Sequence, residues 1–322
     1  MRAVTRYPYQ PIDFTGLKTV SLYGRGGKVT ADHFATVPPA GATPSRLLDS
    51  LPRLLAADTL RHVAAALETA RVQKRAIIWG LGGHVIKCGL APILLDLADS
   101  GFATAFALNG AAAIHDLEFA LAGHSSEDVE AVLPDGSFGS AEETGREYNR
   151  ALALAEEQQI GAGEALCLHT AALADPRFAS HSLLAGAARR NLPVTVHIAV
   201  GTDTPHAHPA ATATAIGHAT HYDFRLFATL LRELHQGGVY VNLGSAVVLP
   251  EVFLKAVSTV RNLGYPLRDF TTVNFDFLQH YRPRVNVVER PHAQAGGKGY
   301  SLTGHHEIMV PLLAAILKER AQ

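Results

Sequence analysis

From about Lys74 onward the chain alternates short β-prone apolar runs with longer stretches of helical periodicity, and few architectures accept that pattern. The runs "RAIIWG", "TAFALN", "PVTVHIAV", "VYVNLG" and "DFTTVNFDF" are mostly continuous apolar segments. Strands of that kind are buried on both faces, which is the condition of a parallel sheet covered by helices. Between them, "VIKCGLAPILLDLADSG", "AAAIHDLEFALAG", "AEETGREYNRALALAEEQQ", "SHSLLAGAARRN", "DFRLFATLLRELHQ" and "PEVFLKAVSTVRNLG" read as the covering helices, and "EIMVPLLAAILKERAQ" closes the chain. The predicted fold class is α/β, a parallel sheet with helices on both faces. "KTVSLY" near the start reads as one more strand. Residues 1-73 read as an N-terminal extension packed on the main domain, and residues 74-322 as the α/β domain itself.

Charge narrows the partners. With 28 Lys and Arg against 29 Asp and Glu, the formal net charge is −1. No global basic field favours a nucleic-acid backbone, so the expected partner is a small-molecule substrate, with no nucleic acid. The opening "MRAVTRYPYQPIDF" lacks the apolar core of a signal peptide, and no run is long enough to span a bilayer. The expectation is a cytoplasmic protein with no membrane partner. Cys88 and Cys167 stand far apart, which excludes a disulfide scaffold or a cysteine-based zinc finger.

Chemistry is sought where strands end. In "WGLGGHVIKCG" an apolar strand runs into Gly80, Gly82 and Gly83 and then a helix, a turn that lets a ligand approach the backbone. The strict GxGxxG spacing is broken by Val85. In "ALNGAAAIHDLEFALAG" a strand ends at Asn109-Gly110 and the next helix carries His115 and Asp116. Neighbours on a helix point about 100° apart, so His115 and Asp116 do not form a relay. Asp116 is expected to steady a helix start, and His115 to reach toward a ligand.

Three further stretches carry titratable or charged groups. "HIAVGTDTPHAHP" offers Asp203, His206 and His208 after a strand; an HxH pair can ligate zinc but needs a third ligand. "GGKGYSLTGHHEIMVP" offers Lys298 among glycines, then His305, His306 and Glu307 before the last helix, which Thr303 is expected to cap. In "NFDFLQHYRPRVNVVERP", Arg282, Arg284 and Arg290 either meet an anionic ligand or pair with neighbouring carboxylates. The residues drawn upon for acid/base or covalent work are Lys298, His206, His208 and Glu307. No metal site is assigned, and the alternative function is a metal-assisted hydrolase built on His206 and His208 or a non-catalytic protein that binds a dinucleotide.

Taken in order, "GLGGHVIKCG", "NGAAAIHDLEFALAG" followed by "SSEDV", "LPVTVHIAVGTD", "NLGSAVVLPEVFLKAVSTVRNLG" and "VPLLAAIL" resemble the deoxyhypusine synthase family. The resemblance spans about three quarters of the chain, from Arg75 onward. It implies a Rossmann-like NAD-binding domain, a homotetramer and polyamine-related transferase chemistry through an imine on lysine. By resemblance Gly82, Gly83, Asn109, Gly110, Asp203, His305 and His306 line the NAD site, and His115, one turn into its helix, is expected to reach the cofactor edge. The substrate half departs from the family. Its catalytic Trp-Gly-Lys stretch has no counterpart, because Trp79 is the sole tryptophan and the matching region reads "NVVERPHAQAGGKGY" with Lys298 nearby. His206 and His208 stand where the family offers acidic residues to a dication, so the expected activity is an NAD-dependent one on a small amine or a more anionic relative, not deoxyhypusine synthesis.

Overall fold

The computed structural model describes residues 6–321. Its strands β1 (Ile77–Leu81), β2 (Ala105–Asn109), β3 (Val194–His197), β4 (Val239–Leu243), β5 (Thr271–Asp276) and β6 (Lys298–Thr303) form one sheet. Their order is β3-β2-β1-β4-β5-β6, and each neighbouring pair is parallel. This is a Rossmann-like α/β fold, as the continuous apolar runs require. Every residue of the central strands β1 and β4 is buried.

The helices are α1 (Pro44–Ser50), α2 (Leu55–Val72), α3 (Gly83–Lys87), α4 (Ala91–Asp99), α5 (Gly110–Ala122), the single turn α6 (Val129–Val132), α7 (Glu142–Gln158), α8 (Ala162–Leu173) and α9 (Leu183–Arg190). After β3 come α10 (Ala213–Arg232), α11 (Val248–Asn262), the turn α12 (Tyr281–Pro283) and α13 (His306–Arg320). Successive β1 side chains go to opposite faces. Ile77, Trp79 and Leu81 join one core with Leu67 of α2, Leu94 of α4, Leu117 of α5, Leu184 of α9 and Leu313 of α13. Ile78 joins the other with Phe227 of α10, Tyr240 of β4 and Phe253 of α11. Trp79 is fully buried and its indole N–H donates to the Phe102 carbonyl at 2.8 Å, so it is a core residue.

Two buried carboxylates tie helices to this frame. Asp116 of α5 accepts from Ser182 Oγ at 2.6 Å and from the Leu183 and Leu184 amides at 2.6 and 2.8 Å. It therefore anchors the start of α9, a different helix from its own. Burial raises its carboxyl to about 6, against the pull of those three donors. Asp223 of α10 accepts from Gly163 N at 2.7 Å in α8 and Val196 N at 2.6 Å in β3, and burial raises it to about 7.

The structure differs from the sequence reading at particular segments. "KTVSLY" is exposed and forms no strand. β6 arises instead from "KGYSLT", an edge strand only partly buried, which is why it lacks the apolar run of an interior strand. "VIKCGLAPILLDLADSG" is two helices, α3 and α4, parted at Gly89 with φ +72°. Within the first 73 residues, α2 packs on the sheet through buried Leu60, Val63 and Leu67, while the stretch before α1 is largely exposed. No described helix is long and apolar enough to cross a membrane.

Candidate active site

In an open parallel sheet of this order, the connections leaving β1 and β4 go to opposite faces and part the chain at the carboxyl ends of those strands. The floor of that crevice is backbone. Gly82 N donates to the Leu243 carbonyl at 2.9 Å, and a Cβ on Gly82 would stand 2.0 Å from the Gly244 carbonyl oxygen. Gly244 has φ +67°, and a Cβ there would meet His306 Cε1 at 2.8 Å. A side chain on Gly82 would push the two strand ends apart, and one on Gly244 would be strained by its positive φ and crowd the His306 ring.

On the β2 and β3 side, Asn109 caps α5, its Oδ1 accepting from Ala112 N at 2.9 Å. Gly110 opens that helix beneath Asp203: a Cβ on Gly110 would lie 2.0 Å from Asp203 Oδ2. The Asp203 carboxylate thus turns inward onto the start of α5, where the helix dipole favours a negative charge, and burial raises its pKa. His115 lies one turn further along α5. Its Nδ1 sits 2.6 Å from Ser125 Oγ and 3.4 Å from Glu118 Oε2, and Thr144 Oγ1 donates to Glu118 Oε1 at 3.0 Å. Burial works against the Glu118 charge, but hydrogen bonds from His115, Ser125 and Thr144 hold its carboxyl below the usual range. His115, Glu118, Lys87, Thr202, Asp203 and Thr204 are among the residues lining a cavity of about 210 Å³.

On the β5 and β6 side, His306 is fully buried. Its Nε2 lies 3.2 Å from the Phe275 carbonyl and 3.7 Å from Asp276 Oδ1, while its Nδ1 has no partner. Burial lowers its pKa despite Asp276, so it is a neutral ring supporting the floor under Gly244. His305 is exposed and stacks on Phe277 at 6.1 Å, with its Nδ1 3.9 Å from Glu307 Oε1. Glu307 is in the first turn of α13, and its own backbone N–H, ahead of His305, holds its carboxyl low. It faces His84 and Cys88 of the α3 turn. Below them, buried amides join the strand ends: Asn242 Nδ2 donates to Asn274 Oδ1 at 2.8 Å, Asn274 Nδ2 to Gln279 Oε1 at 2.7 Å, and Gln279 Nε2 to the Leu302 carbonyl at 3.0 Å.

The crevice therefore brings together Gly82, Gly83, Asn109, Gly110, His115 and Asp203 on one side and His305, His306 and Glu307 on the other. It does not include Lys298. That residue opens β6, is exposed, and pairs in register with Thr271, the first residue of β5. Five residues of strand, about 17 Å, separate it from the carboxyl end. The lysine-imine role expected of it is corrected on that ground. His206 and His208 are likewise not a pair. His206 Nδ1 accepts from Gly201 N at 3.3 Å, whereas His208 accepts from Ala210 N at 3.1 Å and meets Glu142 Oε2 at 3.1 Å on α7. Each spends a ring nitrogen on its own loop. Thr303 ends β6 and does not cap α13, whose N-cap is His305.

The arginines after β5 have local partners. Arg282 meets Glu251 at 3.2 Å, Arg284 pairs with Glu289, and Arg290 donates to Asn286 at 2.9 Å. A cavity of about 750 Å³, lined in part by Arg261, Arg268 and Arg290, opens beside the residues leading into β5 and β6, away from the crevice. Sequence reasoning missed Glu118 and Ser125 as partners of His115, and the Asn242–Asn274 contact. The spacing of His115 and Glu118, three apart on a helix, was the available signal for the first. The second depends on strand register, which no local pattern displays.

No protein-family model matches the chain, and no curated protein matches it. Among solved structures, a conserved protein named as LOR/SDH, from Methanococcus maripaludis S2, is 16% identical; the match covers 84% of this chain and 71% of that one, with a TM-score of 0.51. Unliganded AgrE is also 16% identical, with 81% of this chain covering 32% of AgrE at a TM-score of 0.52. The chain thus spans about a third of AgrE's length. At these identities the likeness is one of fold alone.

Proposed function

We propose that the chain is an NAD-dependent enzyme, related in fold to the deoxyhypusine synthases, that acts on a small amine or a more anionic relative. The observation that carries this reading is the contact of Gly82 with Gly244. It makes the crevice floor bare backbone at the point where a 3-2-1-4-5-6 sheet receives a dinucleotide. AgrE, whose unliganded form shares the fold, is also known in a ternary complex with ornithine and NAD+. That is a property of AgrE, and it is the kind of pairing expected here.

The residues fit the cofactor in part. Gly82 and Gly83 would lie along the pyrophosphate. Asn109 stands at the end of β2, where such folds commonly carry a carboxylate for the ribose, so the sugar would be held through an amide. Lys87, His115, Thr202 and Thr204 offer donors in the adjoining cavity. When bound, NAD would accept hydride from the carbon bearing the substrate's amine or hydroxyl group. Across the crevice, His305 is placed to bind the substrate and take up its proton, an imidazole being suited to that work near neutrality. Lysine-imine transfer through Lys298 forms no part of the proposal, nor does hydrolysis by a metal on His206 and His208. A homo-oligomer is proposed by family resemblance only.

The experiment is calorimetric titration with NAD+, followed by NADH appearance across a panel of polyamines, amino acids and hydroxy acids. One NAD+ per chain and turnover of one substrate class are expected; absence of NAD+ binding overturns the reading.

A further inference from the structure

Outside the residues assigned above to NAD, the carboxyl end of the sheet holds one convergent donor set. His84 and Cys88 are four residues apart and lie on the same side of the α3 turn, with His84 Nε2 3.4 Å from Cys88 Sγ. Glu307, brought in by the first turn of α13, places Oε2 3.8 Å from the same sulfur. One nitrogen, one sulfur and one oxygen, all within 4.8 Å of each other, form the only such group among the described residues.

The spacing agrees with coordination. Tetrahedral zinc bonds of about 2.3 Å to sulfur and 2.0–2.1 Å to nitrogen or oxygen hold donor atoms about 3.5 Å apart. The His84–Cys88 and Cys88–Glu307 separations therefore need only small side-chain adjustments to close on an ion. The surroundings hold the imidazole in place: the His84 ring lies edge-on to Phe277 at 5.5 Å and 5.5 Å from the His306 ring. The Cys88 thiol is directed at Glu307 Oε2, so sulfur and carboxylate already face each other across the position an ion would take.

We propose that His84, Cys88 and Glu307 form a binding site for a zinc-class dication, with one coordination position left open. Thiolate, imidazole and carboxylate together suit a borderline-soft ion and not magnesium or calcium, which take oxygen ligands. Three protein ligands are the pattern of a site that keeps water or substrate in the fourth position. The site revises the expectation of no metal, and it lies elsewhere than the His206 and His208 pair considered in the sequence. It does not rest on NAD binding.

The test is titration of chelator-treated, untagged protein with Co2+, followed by electronic absorption and then by Zn2+ displacement. Expected is one Co2+ per chain with a thiolate-to-cobalt charge-transfer band that Zn2+ removes. Cys88→Ala abolishes the band, while His84→Ala and Glu307→Gln keep it but weaken Co2+ binding at least tenfold. Because the other cysteine, Cys167, is buried in α8, the band reports on one sulfur. No band in the wild type, a band that survives Cys88→Ala, or unchanged affinity in Glu307→Gln overturns the site. Circular dichroism confirms that each variant is folded; Glu307 is exposed, so its substitution provides the arm least exposed to misfolding. Calorimetry with NAD+ on the metal-free protein reads the cofactor proposal separately.

Discussion

Gly82 and Gly244 meet through their backbones, so that a Cβ on the first would fall 2.0 Å from the carbonyl oxygen of the second. The neighbour is backbone at the residue that follows β4 and cannot swing aside as a side chain would. Gly82→Ala is therefore expected to cost about 3 kcal/mol, as overpacking does, and to abolish NAD+ binding. Gly83→Ala, whose Cβ would meet Ala111 and His115 at 3.1 and 3.2 Å, should be milder. Urea unfolding and calorimetry on the two variants check the order; equal NAD+ affinity in Gly82→Ala and wild type would sink the placement of the cofactor.

Lys298 sits at the amino end of β6, away from the crevice. Lys298→Ala should leave NAD+ affinity, turnover and melting temperature at wild-type values. A loss of turnover beyond tenfold would return the lysine to the chemistry.

Asp116 holds three donors at the start of α9. Asp116→Ala strands two buried amides and a hydroxyl, and is expected to destabilise by about 3 kcal/mol. Ser182→Ala removes one cap and should cost about 1 kcal/mol. Denaturant midpoints measured side by side decide whether the carboxylate or the hydroxyl is the main anchor.

Asp223 offers a pH dependence with a definite sign. Its carboxyl is raised in the folded chain from 3.8 to about 7, so the proton is held more tightly folded than unfolded. That stabilisation is complete below about pH 4 and is lost as pH rises through about 7. His197, lowered by burial to about 3, acts in the opposite sense but is present in both proteins compared. The melting temperature of wild type minus that of Asp223→Asn should therefore fall between pH 5 and pH 8. A flat difference would show that Asp223 titrates normally.

The sheet was legible because parallel strands buried on both faces must be apolar along their length, as "RAIIWG" and "VYVNLG" are. β6 was not, since an edge strand half in solvent can be built from "KGYSLT". The close approach of Gly82 to Gly244 was legible in the glycines of "GLGG", because such an approach admits no side chain and leaves a residue-type trace. Roles that depend on direction left none. Lys298 and His305 lie in one glycine-rich stretch, yet a strand carries them to opposite ends of the sheet. His206 and His208 look like a pair of ligands until the loop turns each toward a different partner.

The pairing of Ile77 with Val239 joins β1 to a strand that arrives half a chain later. A contact of that sequence separation is among the costliest in chain entropy that the fold must make. The crevice floor is made from that pairing. Without that pairing the sheet is two halves with no floor between them, so the place for a cofactor is a property of the joined sheet and of neither half alone.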